Sequence, residues 1–216
     1  MANGEKIILQ LCADTGSDTK PYKDAGYDVR LIGSSIGVEN YHPPQNVYGI
    51  IANPPCTEFS IARTGGKPRL GESGLFLVKE CQRIIAECEA NGGLEFWVIE
   101  NPATGALKNY LGKPDYVYQP WWFGSPWTKK TALWGWFNEP KRIYERWEDV
   151  PKIPELYVRQ DTKHRRSTGK PAMYQFHKIA YDQIPEFQGL PRPESDMEMR
   201  SLCSQKFAQE FLKANP

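Results

Sequence analysis

Four short apolar runs, each stopped by turn-forming residues, constrain this fold more than any other feature of the chain. Ile7-Ile8-Leu9-Gln10-Leu11-Cys12 runs into the turn formers Asp14-Thr15-Gly16-Ser17-Asp18, and Val29 to Ile32 is a second run. Val47-Tyr48-Gly49-Ile50-Ile51-Ala52 stops at Asn53-Pro54-Pro55, which cannot continue a sheet ladder. Phe96-Trp97-Val98-Ile99 is cut off by Glu100-Asn101-Pro102. Near-continuous rather than alternating apolar runs belong to strands covered on both faces. Helical signals lie between them. Residues 18–25 read as a short helix with Pro21 in its first turn, ended by Gly26. Leu75, Val78, Cys81, Ile85 and Cys88 recur at steps of three and four within Glu72 to Asn91, and Gly92-Gly93 gives the stop. Thr131 to Phe137 reads as a further strand. The expected class is α/β, a doubly wound and mostly parallel sheet.

At 216 residues the chain is long enough for one domain with a real core and a small appendage. Its 40% hydrophobic and 25% charged residues exclude disorder as the main state. No apolar run reaches the roughly 18 residues of a membrane span, so no membrane partner is expected. The opening Met1-Ala2-Asn3-Gly4-Glu5-Lys6 lacks the pattern of a secretory signal. Five scattered cysteines fit neither a disulfide framework nor a CxxC zinc site, which points to a reducing, cytoplasmic compartment. His42 and His177 lack partners at ligand spacing, and no metal is assigned. With a net charge of +1, any nucleic acid must be held by a local basic patch.

Ligands of open α/β sheets bind beyond the carboxyl ends of the strands. Three such ends carry unusual residues: Cys12-Ala13-Asp14-Thr15-Gly16-Ser17, Asn53-Pro54-Pro55-Cys56-Thr57-Glu58-Phe59-Ser60, and Glu100-Asn101-Pro102-Ala103-Thr104-Gly105. Cys56, in a stiff Pro-Pro turn, is placed as a nucleophile; taken alone, a cysteine there reads first as a buried thiol. Glu100, locked by a following Pro, is placed as an acid.

Together these segments resemble the DNA cytosine-5 methyltransferases, small phage-type members above all. Pro54-Pro55-Cys56-Thr57-Glu58-Phe59-Ser60 resembles that family's catalytic Pro-Cys loop, and Glu100-Asn101-Pro102, 44 residues on, its Glu-Asn-Val motif. Ser125-Pro126-Trp127-Thr128-Lys129-Lys130-Thr131-Ala132-Leu133-Trp134-Gly135 resembles the basic motif that follows, and Ser201 to Asn215 the closing motif with its helix. The resemblance implies a class I, Rossmann-like methyltransferase core over 1–137, a small loop-rich extension over 138–196 as target-recognition region, and a helix over 197–216 returning to the core. It further implies DNA as partner and modification of cytosine carbon 5, most simply methylation. The Cys56 thiolate would add to carbon 6. Glu100 would assist at ring nitrogen 3 in protonated form, with Asn101 fixing the loop and Lys129 or Lys130 near the base or a phosphate. The base would leave the helix to reach Cys56.

The cofactor side departs from the family pattern. Cys12, Ala13, Asp14, Thr15 and Gly16, with Asn53 and Pro54, occupy the positions that would bind S-adenosylmethionine. The family's acid is here Gln10, its aromatic Cys12 and its first Gly Asp14. No acid follows the second strand in Val29-Arg30-Leu31-Ile32-Gly33-Ser34-Ser35, and the Asp expected near adenine falls at Gly37, with Glu39 close by. Three readings stay open: S-adenosylmethionine bound in an altered way, a different cofactor, or none. In the last, an inactive protein keeps a surface for nucleic acid or a nucleotide. Ser60, Arg63, Lys130, Lys163, Arg165 and Arg166 are the candidate nucleic-acid contacts, supplying affinity more than sequence choice. Gly65-Gly66-Lys67-Pro68-Arg69 reads as a lid or as a surface connection. An extension of about 60 residues leaves duplex, single strand and free nucleotide all open as targets.

Overall fold

In the computed structural model, which describes residues 2–13, 15–60, 69–153 and 184–216, six strands form one sheet. They are β1 (Ile7–Leu11), β2 (Asp28–Ile32), β3 (Val47–Ala52), β4 (Phe96–Pro102), β5 (Tyr116–Tyr118) and β6 (Thr131–Trp136). Their order is β2-β1-β3-β4-β6-β5. β1 pairs parallel with β2 and β3, and β3 parallel with β4. β6 runs antiparallel to β4 and β5. The sheet is therefore mixed but mostly parallel, and the class is α/β. The helices are α1 (Lys20–Asp24), α2 (Glu72–Asn91), α3 (Lys108–Leu111), α4 (Asp196–Ser201) and α5 (Gln205–Ala214).

Helices cover both faces, as continuous apolar strands require. On one face Leu9, Leu11, Ile50, Ala52 and Ile99 pack with Cys81, Ile84, Ile85 and Cys88 of α2. On the other, Ile8, Ile51, Phe96 and Val98 meet Tyr22 of α1 and Phe207, Ala208 and Phe211 of α5. Phe207 stacks on Tyr118 of β5 at 3.8 Å between ring centroids, and Phe211 meets Phe96 edge-on at 5.7 Å. Each such ring is worth about 1.5–3 kcal/mol of burial. Ser204, 3% exposed, starts α5 by accepting a hydrogen bond from the Phe207 N–H at 3.1 Å.

The structure departs from the sequence expectation at β4, which does not end at Ile99 but continues through Glu100, Asn101 and Pro102. β6 supplies the reason, pairing Glu100 with Leu133, Asn101 with Ala132 and Pro102 with Thr131. β3 ends at Ala52, opposite Ile99, so the Pro102 nitrogen faces a side the ladder has already vacated. Three-residue β5 and the four-residue α3 are too short to show a period, and the helix expected over 197–216 is two helices, α4 and α5, broken at Leu202, Cys203 and Ser204. Residues 139–153 form irregular chain apart from one turn, with the Arg142 guanidinium lying over Trp121 and Trp122 at 5.0 and 4.4 Å. Among the described residues no helix is long and apolar enough to cross a membrane.

Candidate active site

The chain leaves β1 for the edge strand β2 and returns to β3 on the other side of β1, so the switch point of the sheet lies between the ends of β1 and β3. Strand alternation decides what faces it. Gln10 shares a face with Ile8, Asn53 with Ile51 and Glu100 with Val98, so three polar side chains from three neighbouring strands emerge on the α5 side.

They form one hydrogen-bonded cluster around Asn53. Its amide nitrogen donates to Asp18 Oδ1 at 3.2 Å and to Glu100 Oε2 at 3.4 Å, while its oxygen accepts from Gln10 Nε2 at 3.2 Å. Gln10, 1% exposed, also donates to Asp18 Oδ2 at 3.1 Å and accepts from Thr19 Oγ1 at 2.5 Å. Ser17 Oγ donates to Asp18 Oδ2 at 3.1 Å. The C-terminal segment braces this turn: the Cys203 N–H donates to Ser17 Oγ at 3.1 Å and Gln205 Nε2 to the Ser17 carbonyl at 2.7 Å.

Cys56 sits half-buried beside this cluster. Its carbonyl accepts from the Phe59 and Ser60 N–H groups at 3.0 and 2.8 Å, which closes the loop into a tight turn. Asn101 holds the other end, donating to the Pro54 carbonyl at 2.8 Å. The Phe59 carbonyl accepts from the Ala106 N–H at 2.8 Å, and a Cβ on Gly105 would lie 2.9 Å from the Phe59 oxygen, so only glycine lets the β4 exit approach so closely.

Electrostatics ties these groups together. Burial pushes the Glu100 carboxyl above the ordinary range; Lys129 pulls it down, and the nearby Asp18 charge pushes it further up. Burial raises Asp18 too, against Lys129 and its hydrogen bonds. The Cys56 thiol is raised by burial and then by the Glu100 charge, with Lys129 opposing. Lys129, half-buried, donates to the Ser201 and Leu202 carbonyls at 3.3 and 3.2 Å, where α4 ends. Its cation faces a thiol and two carboxyls.

Of the residues singled out in the sequence, Cys56, Glu100, Asn53 and Lys129 come together here. Asn101, grouped with the catalytic residues and expected to fix the loop, is 1% exposed on the face opposite Glu100 and donates to the Pro54 carbonyl. Cys12 has its Sγ 3.7 Å from Cys81 Sγ of α2, within the core and turned away from the cluster. Its backbone is left-handed, at φ 57°. Ala13, Gly16 and Pro54 are buried and Thr15 half-buried around the β1 turn. Ser60 is half-buried and Lys130 exposed. Asp14, Arg63, Lys163, Arg165, Arg166, His177 and residues 65–68 lie outside the described residues. His42 stands 3.5 Å from Glu87, away from the cluster, and no group of three or more candidate ligands for a metal occurs among the described residues. The sequence marks Asp18 only as the last turn former after β1 and the first residue of the helix expected over 18–25. Gln10 carried the one available signal, a polar residue inside an apolar strand that must find buried partners. No family model matches this chain, and no curated protein matches it.

Proposed function

We propose that this chain activates carbon 5 of cytosine in DNA for modification, most simply methylation, with Cys56 as nucleophile and Glu100 as acid. The observation carrying this reading is the meeting of a half-buried thiol and a recessed carboxyl at the carboxyl ends of β3 and β4 with a half-buried lysine at the start of the antiparallel β6, near enough for each charge to act on the others. The thiol loses its proton to solvent and the thiolate adds to carbon 6. The ring double bond opens toward carbon 5 as Glu100 gives its proton to nitrogen 3. The product is an enamine, nucleophilic at carbon 5. Lys129 offsets the thiolate charge before addition.

The β1 end does not fit S-adenosylmethionine as the resembled family would hold it. Gln10, where that family has its acid, is neutral and spent on Asp18, Asn53 and Thr19. Cys12 faces the core, and Ile32-Gly33-Ser34-Ser35 brings no carboxylate.

Hydrogen–deuterium exchange at cytosine carbon 5 tests the chemistry without any cofactor. The enamine takes a deuteron from heavy water at carbon 5, loses the original proton, and expels the thiolate as Glu100 recovers its own. Cytosine in duplex, single strand and free nucleotide should each be offered. Wild-type protein should exchange the hydrogen on one of them. Cys56→Ala should abolish exchange and Glu100→Gln should slow it about 100-fold or more. Binding without exchange would favour a protein of the same ancestry that holds nucleic acid without catalysis.

A further inference from the structure

Two recessed carboxyls, Asp18 and Glu100, share the two amide hydrogens of Asn53, one each, at 3.2 and 3.4 Å. Their surroundings are unequal. Asp18 also accepts from Gln10 at 3.1 Å and from Ser17 at 3.1 Å, all donors that favour an ionised carboxylate. Glu100 accepts only the longer Asn53 bond among the described residues. The wall behind the pair is apolar, a cavity of about 10 Å³ lined by Ile51, Val98, Leu133, Phe207 and Phe211. In such surroundings two carboxylates facing one lysine leave an unbalanced negative charge, which a single proton removes. The hydrogen bonds send that proton to Glu100.

We propose that Asp18 is a positioning residue for the acid: it is the standing anion of a one-proton pair and keeps the proton on Glu100. A neutral Glu100 in turn lifts its charge from Cys56, so one buried anion serves both partners of the reaction. This second consequence rests on the function proposed above, whereas the location of the proton does not. The charged and titratable groups facing the pair are Cys56 after β3, Tyr118 of β5, Lys129 before β6, Cys203 between α4 and α5, and, acting on Cys56, Arg200 of α4.

The test is a carbon-13 titration of the Asp18 and Glu100 carboxyls in the whole protein without ligand. In wild type the higher midpoint should belong to Glu100, and both carbons should sense both steps, as coupled sites do. Asp18→Asn should move the Glu100 midpoint down and Lys129→Met should move it up. These opposite signs separate an electrostatic role from structural damage. Asp18 titrating at the higher pH, an unmoved Glu100 in Asp18→Asn, or both variants shifting it the same way would overturn the proposal. Should Asp18→Asn fail to fold, the wild-type assignment of the two midpoints decides alone. Absence of carbon 5 exchange with intact coupling would sink the proposed function and leave this inference standing.

Discussion

Asn101 donates to the Pro54 carbonyl from a site 1% exposed, and that bond joins the Cys56 turn to β4. Its own side-chain oxygen is buried without a donor among the described residues, a cost accepted at one position of the loop. Asn101→Ala leaves the Pro54 carbonyl unpaired and should cost about 1–3 kcal/mol in urea unfolding. It should also speed alkylation of Cys56 by iodoacetamide, because a slack turn exposes the thiol. Slower or unchanged alkylation would mean the turn holds without the Asn101 bond. Glu100 and Asn101, adjacent in sequence, thus do unrelated work because a strand turns successive side chains to opposite faces.

Helix α5 is where sequence and site depend on each other most. Its spacing of Phe207, Ala208, Phe211 and Leu212 is legible from the residues alone, since one apolar stripe per helix must be buried. What it does beyond packing is not legible. Ser204 caps it, and Ser204 Oγ lies 2.6 Å from Ser125 Oγ, while the neighbouring Cys203 and Gln205 hold Ser17. Ser204→Ala removes the cap and one partner of a buried hydroxyl, for a loss of about 1–2 kcal/mol. The same variant should loosen the Asp18 turn, seen as faster amide exchange at residues 17–19. Loss of stability with no change there would show that the brace on Ser17 does not depend on the cap. The strand β4 teaches the converse. Glu100-Asn101-Pro102 looked like a stop because proline breaks ladders, yet one-sided pairing with β6 makes its missing N–H harmless.

At the scale of the whole molecule, the raised carboxyls among the described residues sit on one side of the sheet, beneath and around α5. Besides Asp18 and Glu100, burial pushes Glu186 up to about 7, although Ser125 Oγ at 2.9 Å and the Gln205 N–H at 3.0 Å stabilise its charge. An acid raised on folding contributes stability that is complete below its unfolded value, here 4.5, and is lost as pH rises through about 7. The Glu186 contribution is on the order of 3 kcal/mol at most. The protein should therefore resist urea better near about pH 5 than near about pH 8. Glu186→Gln, which keeps an acceptor for both donors, should narrow that difference and raise the stability measured at the higher pH. A wild type equally stable at both would show that these carboxyls ionise freely in the folded state.

Local pattern by itself determined the strands β1, β2 and β3, the long helix α2, the closing helix α5 and the α/β class, because burial periodicity and chain-breaking residues act over a few neighbours. It also marked Cys56 and Glu100, whose neighbouring prolines are visible in one dimension. Tertiary structure decided the rest. Asp18 joins Asn53 across 35 residues of chain and Cys203 reaches Ser17 across 186. Neither separation leaves a local trace, since desolvation and shared protons depend on which strands become neighbours and on what covers their ends.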